Sequence, residues 1–333
     1  MKAKDLILAA DVGGTKTLMC LFNMIDGNPH TIKTNRYVSC DFDSLETIVK
    51  DFLGDFESVP KAAAFGIPGP VEDGMVKSTN LPWVIQKKNL SVKTGIEHIR
   101  LANDLAATAY SIPNLNPDEI INIKEGKLVN SPERYVVLAP GTGLGQSFLV
   151  CSEGRKTVIP SEGGHADFAP TSKMESELFG FLLQKFGHVS YERVISGIGL
   201  PNIFDFLVSI KKETPEKMTL ERMKNEKRAV VITKMALEKK DMVCEKALDI
   251  FVSILGTHAG NLALAFLPDG GIYLAGGIPF KILSKIQGKG FMDSFLRKGR
   301  MREVVEHTPI NLVTNNQAAM KGAALMAYEL SQQ

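Results

Sequence analysis

Apolar positions along this chain fall into short runs bounded by glycine, proline and acidic residues. That pattern predicts buried strands alternating with amphipathic helices. Leu6-Ile7-Leu8-Ala9-Ala10 is the first run and reads as a buried strand. It enters Asp11-Val12-Gly13-Gly14-Thr15, and Leu18 to Phe22 resumes as a second strand, so the turn reads as a hairpin loop. Leu45, Ile48, Val49, Phe52, Leu53 and Phe56 recur at helical spacing. Asp43-Ser44-Leu45-Glu46 ahead of them reads as a capping box with Asp43 as the cap. Ala62 to Ile67 is a strand stopped by Pro68-Gly69-Pro70. Ile99 to Ala102 is another, followed by Asn103-Asp104 and a good helix former, Leu105 to Tyr110.

The same grammar returns in the second half. Tyr135 to Ala139 reads as a strand running into Pro140-Gly141-Thr142-Gly143-Leu144-Gly145, and Gln146 to Val150 continues as a strand. Strand, glycine turn, strand therefore occurs twice, the two copies about 130 residues apart, and predicts two domains of one plan. The proline- and asparagine-rich stretch from Ile112 to Pro132 reads as the boundary. Beyond it the pattern is mostly helical. Leu200, Ile203, Phe204 and Leu207 mark one helix, and the charge-rich stretch Lys211 to Lys240 reads as a solvated helical face. Gly271 to Ala275 and Asn311 to Val313 are late strands, and Ala318 to Leu330 is a closing helix.

Composition narrows the class. At 333 residues, 44% hydrophobic and 23% charged, the chain is an ordinary globular sequence long enough for two domains. A net charge of +2 supplies no general field for nucleic acid or anionic membrane. The four cysteines are scattered without a CxxC pair, which fits a reducing cytoplasm and argues against structural zinc. The apolar window Leu248 to Leu267 carries Asp249, His258 and Asn261, so a core helix is expected there, not a membrane span.

Three constellations carry candidate chemistry. The first is the set of glycine turns. Each copy alone reads equally as a capped β-turn. No GxxxxGK[ST] is present, and Gly141 to Gly145 has G-x-G-x-G spacing and continues as a strand, which speaks against a dinucleotide fingerprint. The functional alternative is a phosphate cradle of backbone amides from two hairpins, with Gly276-Gly277 opening a further helix near a nucleoside. The second is Asn103-Asp104: Asp104 is either a helix cap or a general base for a hydroxyl nucleophile, with Asn103 able to hold a neighbouring hydroxyl. The third is Glu162-Gly163-Gly164-His165, together with Glu192 at an expected helix start. Donors and acceptors of this kind suit a polyhydroxyl ligand better than a two-ligand metal site.

The segments Asp11 to Thr15, Leu101 to Asp104, Gly141 to Gly145, Glu162 to Pro170, His188 to Gly197 and Ala275 to Ile278 occur in that order. Together they resemble the bacterial glucokinases of the hexokinase/actin-like superfamily. Glu162-Gly163-Gly164-His165-Ala166-Asp167-Phe168-Ala169-Pro170 is the most specific stretch. The resemblance implies an α/β, two-domain actin-like ATPase (ribonuclease H-like βββαβα) fold with the active site in a cleft. It implies a small discontinuous domain of residues 1–114 plus 316–333 and a large domain of residues 115–315.

By the same resemblance the chain is an ATP- and magnesium-dependent kinase of glucose. Asp104 is the base for the sugar 6-hydroxyl, and Asn103, Glu162, His165 and Glu192 hold other ring hydroxyls. Asp11 positions magnesium through water. Gly13, Gly14, Thr15, Gly141 and Thr142 line the phosphates, with Gly276 and Gly277 on the adenosine side. Trp83 is expected close to the sugar. A cytoplasmic homodimer without nucleic-acid or membrane partners is expected. Lys16 stands where many relatives have asparagine and reads as solvated. No cysteine lies between Ala166 and Glu177, so the zinc-binding branch of related kinases and repressors is disfavoured. Kinases of mannose, glucosamine or an N-acyl hexosamine, and a non-catalytic sugar sensor, are the alternatives.

Overall fold

The computed structural model describes residues 6–332 apart from 26, 55, 57, 78–80, 128 and 211–213. They divide into two compact units. One comprises the chain through residue 116, residues 148–160, and the chain from residue 315; the other comprises 117–147 and 161–314.

The first unit is built on strands β1 (Leu6–Val12), β2 (Lys16–Ile25), β3 (Asn28–Val38), β4 (Ala62–Ile67) and, after a small hairpin of β5 (Met75–Lys77) and β6 (Val84–Gln86), β7 (His98–Asn103). Their order in the main sheet is β3-β2-β1-β4-β7. β1 and β2 are antiparallel and β2 and β3 likewise, whereas β1, β4 and β7 run parallel. Because side chains alternate along a strand, β1 divides its apolar residues between two cores. Leu8, Ala10 and Val12 join the cluster that includes α1 (Leu45–Leu53) and α2 (Lys87–Thr94). Ile7 and Ala9 join the cluster on the other face, with α3 (Asp104–Ser111) and the closing helix Ala318–Ser331. A sheet covered on both faces explains why β1 and β4 read as continuous apolar runs.

A second sheet contains β8 (Ile120–Lys124), β9 (Arg134–Pro140), β10 (Leu144–Ser152), β11 (Arg155–Ser161), β12 (Gly271–Leu274) and β13 (Ile310–Val313); residues 148–160 of β10 and β11 belong to the first unit and the rest to the second. The sheet order is β11-β10-β9-β12-β13-β8. β9, β12 and β13 are parallel and β8 is antiparallel to β13. The order 3-2-1-4-5 of the first sheet is thus repeated by β11-β10-β9-β12-β13, with β8 added at the edge. This is the structural content of the glycine-hairpin repeat. The helices here are α4 (Lys173–Phe186), α5 (Gly199–Ser209), α6 (Lys217–Asn225), α7 (Arg228–Leu237), α8 (Met242–Phe266), α9 (Gly277–Lys281), α10 (Leu283–Ile286), α11 (Lys289–Leu296) and α12 (Arg302–Glu306). The closing helix is then α13. α8 is long and apolar enough to span a bilayer, but 72% of its most apolar window is buried against protein. Ala247, Leu248, Phe251, Leu255 and Ala259 lie wholly inside, as expected of a core helix.

Three expectations change. Ser44, not Asp43, caps α1: it is extended, and its Oγ accepts the Thr47 N–H at 3.3 Å. Glu46 is buried and 3.6 Å from Lys93, so it takes no part in a capping box. α1 stops at Leu53, because Gly54 turns the chain at φ 39°, and Phe56 is 38% exposed beyond it. The Lys211–Lys240 stretch, whose first three residues lie outside the described residues, is two helices, not one solvated face: α7 buries Val231, Ile232, Met235 and Ala236. Trp83 is 4% exposed in the core of the first unit, its Nε1 donating to the Phe42 carbonyl at 3.2 Å. Thr79 and Asn80 before it lie outside the described residues.

Candidate active site

In the first unit, the carboxylates stand at the carboxyl ends of parallel strands. Asp11 pairs with Gly66 of β4, and Ala102 of β7 pairs with that same glycine. Two strand spacings put the β1 and β7 backbones about 10 Å apart. α3 begins directly over β4: a Cβ on Gly66 would lie 3.6 Å from the Asp104 Cα. Asn103 is the cap of α3, its Oδ1 accepting the Leu105 N–H at 2.9 Å. Asp104 therefore occupies the first helical position and not the cap, with Oδ1 2.8 Å from the same N–H.

Burial raises the Asp104 carboxyl above the ordinary aspartate range, although the Leu105 N–H opposes the shift. Asp11 is raised first by the protein crowding it and then by the negative charge of Asp104. Asp11 is nonetheless accessible to solvent. Two mutually repelling carboxylates form a donor set that a hard cation relieves, so these residues fit magnesium. No cluster of three or more His, Cys, Asp or Glu side chains able to hold a metal occurs among the described residues.

The turn after Asp11 is braced from outside. Gly13 N–H donates to the Lys16 carbonyl at 2.9 Å, and Ser39 Oγ donates to the Gly13 carbonyl at 2.8 Å. Ser39 N–H meets the Thr15 carbonyl at 3.0 Å. Gly14 is half-buried, whereas Thr15 and Lys16 are exposed. Ser39 escaped the sequence reading because it sits outside any glycine motif. Its one signal is a small hydroxyl following the apolar Tyr37-Val38.

In the second unit, four segments converge. Gly141 N–H closes its own turn on the Gly143 carbonyl at 2.8 Å, and Gly197 N–H donates to the Gly141 carbonyl at 2.7 Å. Glu192 reaches the same turn: Oε2 accepts the Leu144 N–H at 2.9 Å, and a Cβ on Gly143 would lie 2.4 Å from it. Glu192 lies in a short 3-10 turn, Tyr191–Arg193, held by Tyr191 N–H on the Ala166 carbonyl. Glu162 and His165 are exposed on another 3-10 turn, packed so closely on β10 that a Cβ on Gly164 would fall 2.0 Å from the Leu144 carbonyl. Gly276, at φ 86°, opens α9 and sits 3.2 Å, at its would-be Cβ, from the Pro140 carbonyl. Thus Gly141, Thr142, Glu162, His165, Glu192, Gly276 and Gly277 gather around one glycine turn. Asp11, Gly13, Gly14, Thr15, Asn103 and Asp104 gather on the first unit.

Beneath the second group lie residues that periodicity hides. Gln146 and His258 are both buried, with His258 Nε2 3.3 Å from Gln146 Oε1. His258 is a polar residue inside an apolar run, and Gln146 stands between Gly145 and Ser147 with no signal of its own.

The glucokinase family model matches residues 8–330. A glucokinase of Nostoc punctiforme is 41% identical over 98% of this chain and 99% of its own length. One from Yersinia enterocolitica is 33% identical over 95% of this chain and 94% of its own. The crystal structure of a glucokinase from an Antarctic psychrotroph superposes with a TM-score of 0.87 at 29% identity, covering 98% of this chain and 99% of that one. A glucokinase from Streptomyces griseus solved with glucose and AMPPNP shares the fold, at a TM-score of 0.60 and 18% identity. The hairpin repeat, the two carboxylates at strand ends and the match from residue 8 to residue 330 agree: this chain belongs to the glucokinase family.

Proposed function

We propose that this protein transfers the γ-phosphoryl group of ATP to the 6-hydroxyl of glucose, with Asp104 as the general base. Family membership over nearly the whole chain supports ATP-dependent glucose phosphorylation. The observation that carries the assignment of the base is Asp104 itself: a half-buried carboxylate at the first turn of α3, raised in pKa by burial and held by the backbone N–H of Leu105. A raised pKa makes a stronger base, provided the group is still ionised at the working pH.

In the reaction, the Asp104 carboxylate accepts the O6 proton as O6 bonds to the γ-phosphorus and the bond to the bridging oxygen of ADP breaks. Positioning and charge stabilisation dominate such transfers. Asn103 spends one lone pair on the Leu105 N–H and one N–H on the Gly69 carbonyl at 3.3 Å. It retains one donor and one acceptor for a sugar hydroxyl. Glu162, His165 and Glu192 hold the remaining hydroxyls. Gly13, Gly14, Thr15, Gly141 and Thr142 line the phosphates, Gly13 and Gly141 by leaving room for them, since their own N–H groups close the turns, and Gly276 and Gly277 line the nucleoside. Asp11 would hold magnesium through water, and the ion would neutralise phosphate charge.

The residue roles, the small and large domain division, a cytoplasmic location and a homodimer belong to this proposal; free cysteines support the location and the commonness of two-fold assemblies the dimer. A coupled ADP-release assay over a hexose panel tests the function. Glucose is expected to give the highest kcat/KM. A preference for mannose or an N-acyl hexosamine would move the substrate, and no ADP release with any hexose would favour a sensor.

A further inference from the structure

The two turns that carry Glu162 and Glu192 rest on one chain of buried polar groups within the second unit. Gln146 lies under the first turn: a Cβ on Gly163 would fall 1.5 Å from its Nε2. Its Oε1 meets His258 Nε2 at 3.3 Å. The His258 ring lies against the Tyr191 ring, centroids 3.9 Å apart. Tyr191 immediately precedes Glu192, and its hydroxyl accepts from Asn261 Nδ2 at 3.0 Å. Asn261 Oδ1 in turn accepts from Lys298 Nζ at 2.7 Å, and Lys298 also reaches the Thr257 carbonyl at 2.9 Å. The chain runs from one sugar-facing turn to the other through β10 and α8.

We propose that Gln146 and His258 are positioning residues for the hexose, setting the separation of the Glu162 and Glu192 turns through Gly163 and Tyr191. The inference rests on the glucose-kinase reading above. Buried hydrogen bonds are made in few geometries, because a partner out of place leaves a desolvated group unpaired. An apolar pair would fill the space but leave both turns free to slide. His258 is neutral at physiological pH: burial, then the nearby Lys298 cation, lowers it to about 4. A neutral ring whose Nε2 faces a carbonyl oxygen donates there, so the proton is on Nε2 and Nδ1 carries the lone pair. Among the described residues Nδ1 has no hydrogen-bond partner, and the Gln146 bond is the ring's directional tie.

The test is a double-mutant cycle on His258→Phe and Gln146→Met, which keep volume and, for phenylalanine, the stack on Tyr191. Each single variant is expected to raise the KM for glucose about tenfold while leaving the KM for ATP within twofold. The double variant is expected to match the singles, since either substitution breaks the same bond. Should H258F fail to fold, Q146M carries the test from the other side of that bond. Loss of thermal stability with an unchanged glucose KM would overturn the inference, as would parallel rises for glucose and ATP. Absence of glucose turnover in the wild-type protein would instead overturn the function itself.

Discussion

As the proposed base, Asp104 meets two opposed demands. It must be ionised to take a proton, yet its surroundings favour the protonated form. The acid limb of kcat/KM is therefore expected above the ordinary aspartate pKa, with activity lost as pH falls through that raised value; a pH profile checks it. The sign for stability is opposite. A carboxyl raised on folding binds its proton more tightly in the native state, so stability rises as pH falls through the window and the ionised form costs stability above it. Asp104→Asn is therefore expected to lower kcat by about 10²–10⁴-fold while holding or raising the melting temperature. Steady-state kinetics and a thermal melt on the same preparation separate the two effects. Glu192 was legible as a candidate through its motif, but its sequence explanation, a favourable charge at a helix start, is replaced by the Leu144 N–H that it binds.

α1 owes its start to a hydroxyl, so Ser44→Ala is expected to cost about 1 kcal/mol, read as a shift in the urea midpoint at constant m. α3 and α13 meet at a glycine: a Cβ on Gly322 would fall 1.7 Å from the Ala107 carbonyl, which is backbone and has nowhere to go. Gly322→Ala is expected to destabilise by about 1–3 kcal/mol or more and, by moving α3, to reduce kcat as well. Unchanged kinetics in a destabilised G322A protein would separate the packing of α3 from the placing of Asp104. Elements with strong periodicity or a dense apolar run, such as β4, α5 and α13, were legible from residue order. β3 was not: it is an edge strand, exposed along most of its length, with charged and polar side chains and no alternation to read. β8 hid in a stretch of proline and asparagine that reads as a linker, because its pairing with β13 comes from the far end of the chain.

The chain divides into two units, and the sole tryptophan, Trp83, lies in a buried cluster of the first. Trp83 fluorescence therefore reports the melting of that unit. Glucose at a hundred times its Kd is expected to raise the transition by about 2.7 kcal/mol, whereas a non-substrate hexose leaves it unmoved; a fluorescence melt with and without sugar reads this. What the sequence alone determined is local: strand ends, glycine turns, the helix behind Asp104 and the repeated hairpin. Turn chemistry and side-chain periodicity act within a few residues, so they can be read in order. The tertiary structure alone decided which distant polar groups share a buried space. Glu192 binds an amide 48 residues away, and Gln146 meets His258 at a separation of 112. Those partners are chosen by packing and by the cost of leaving a buried donor unpaired, and neither leaves a period in the chain.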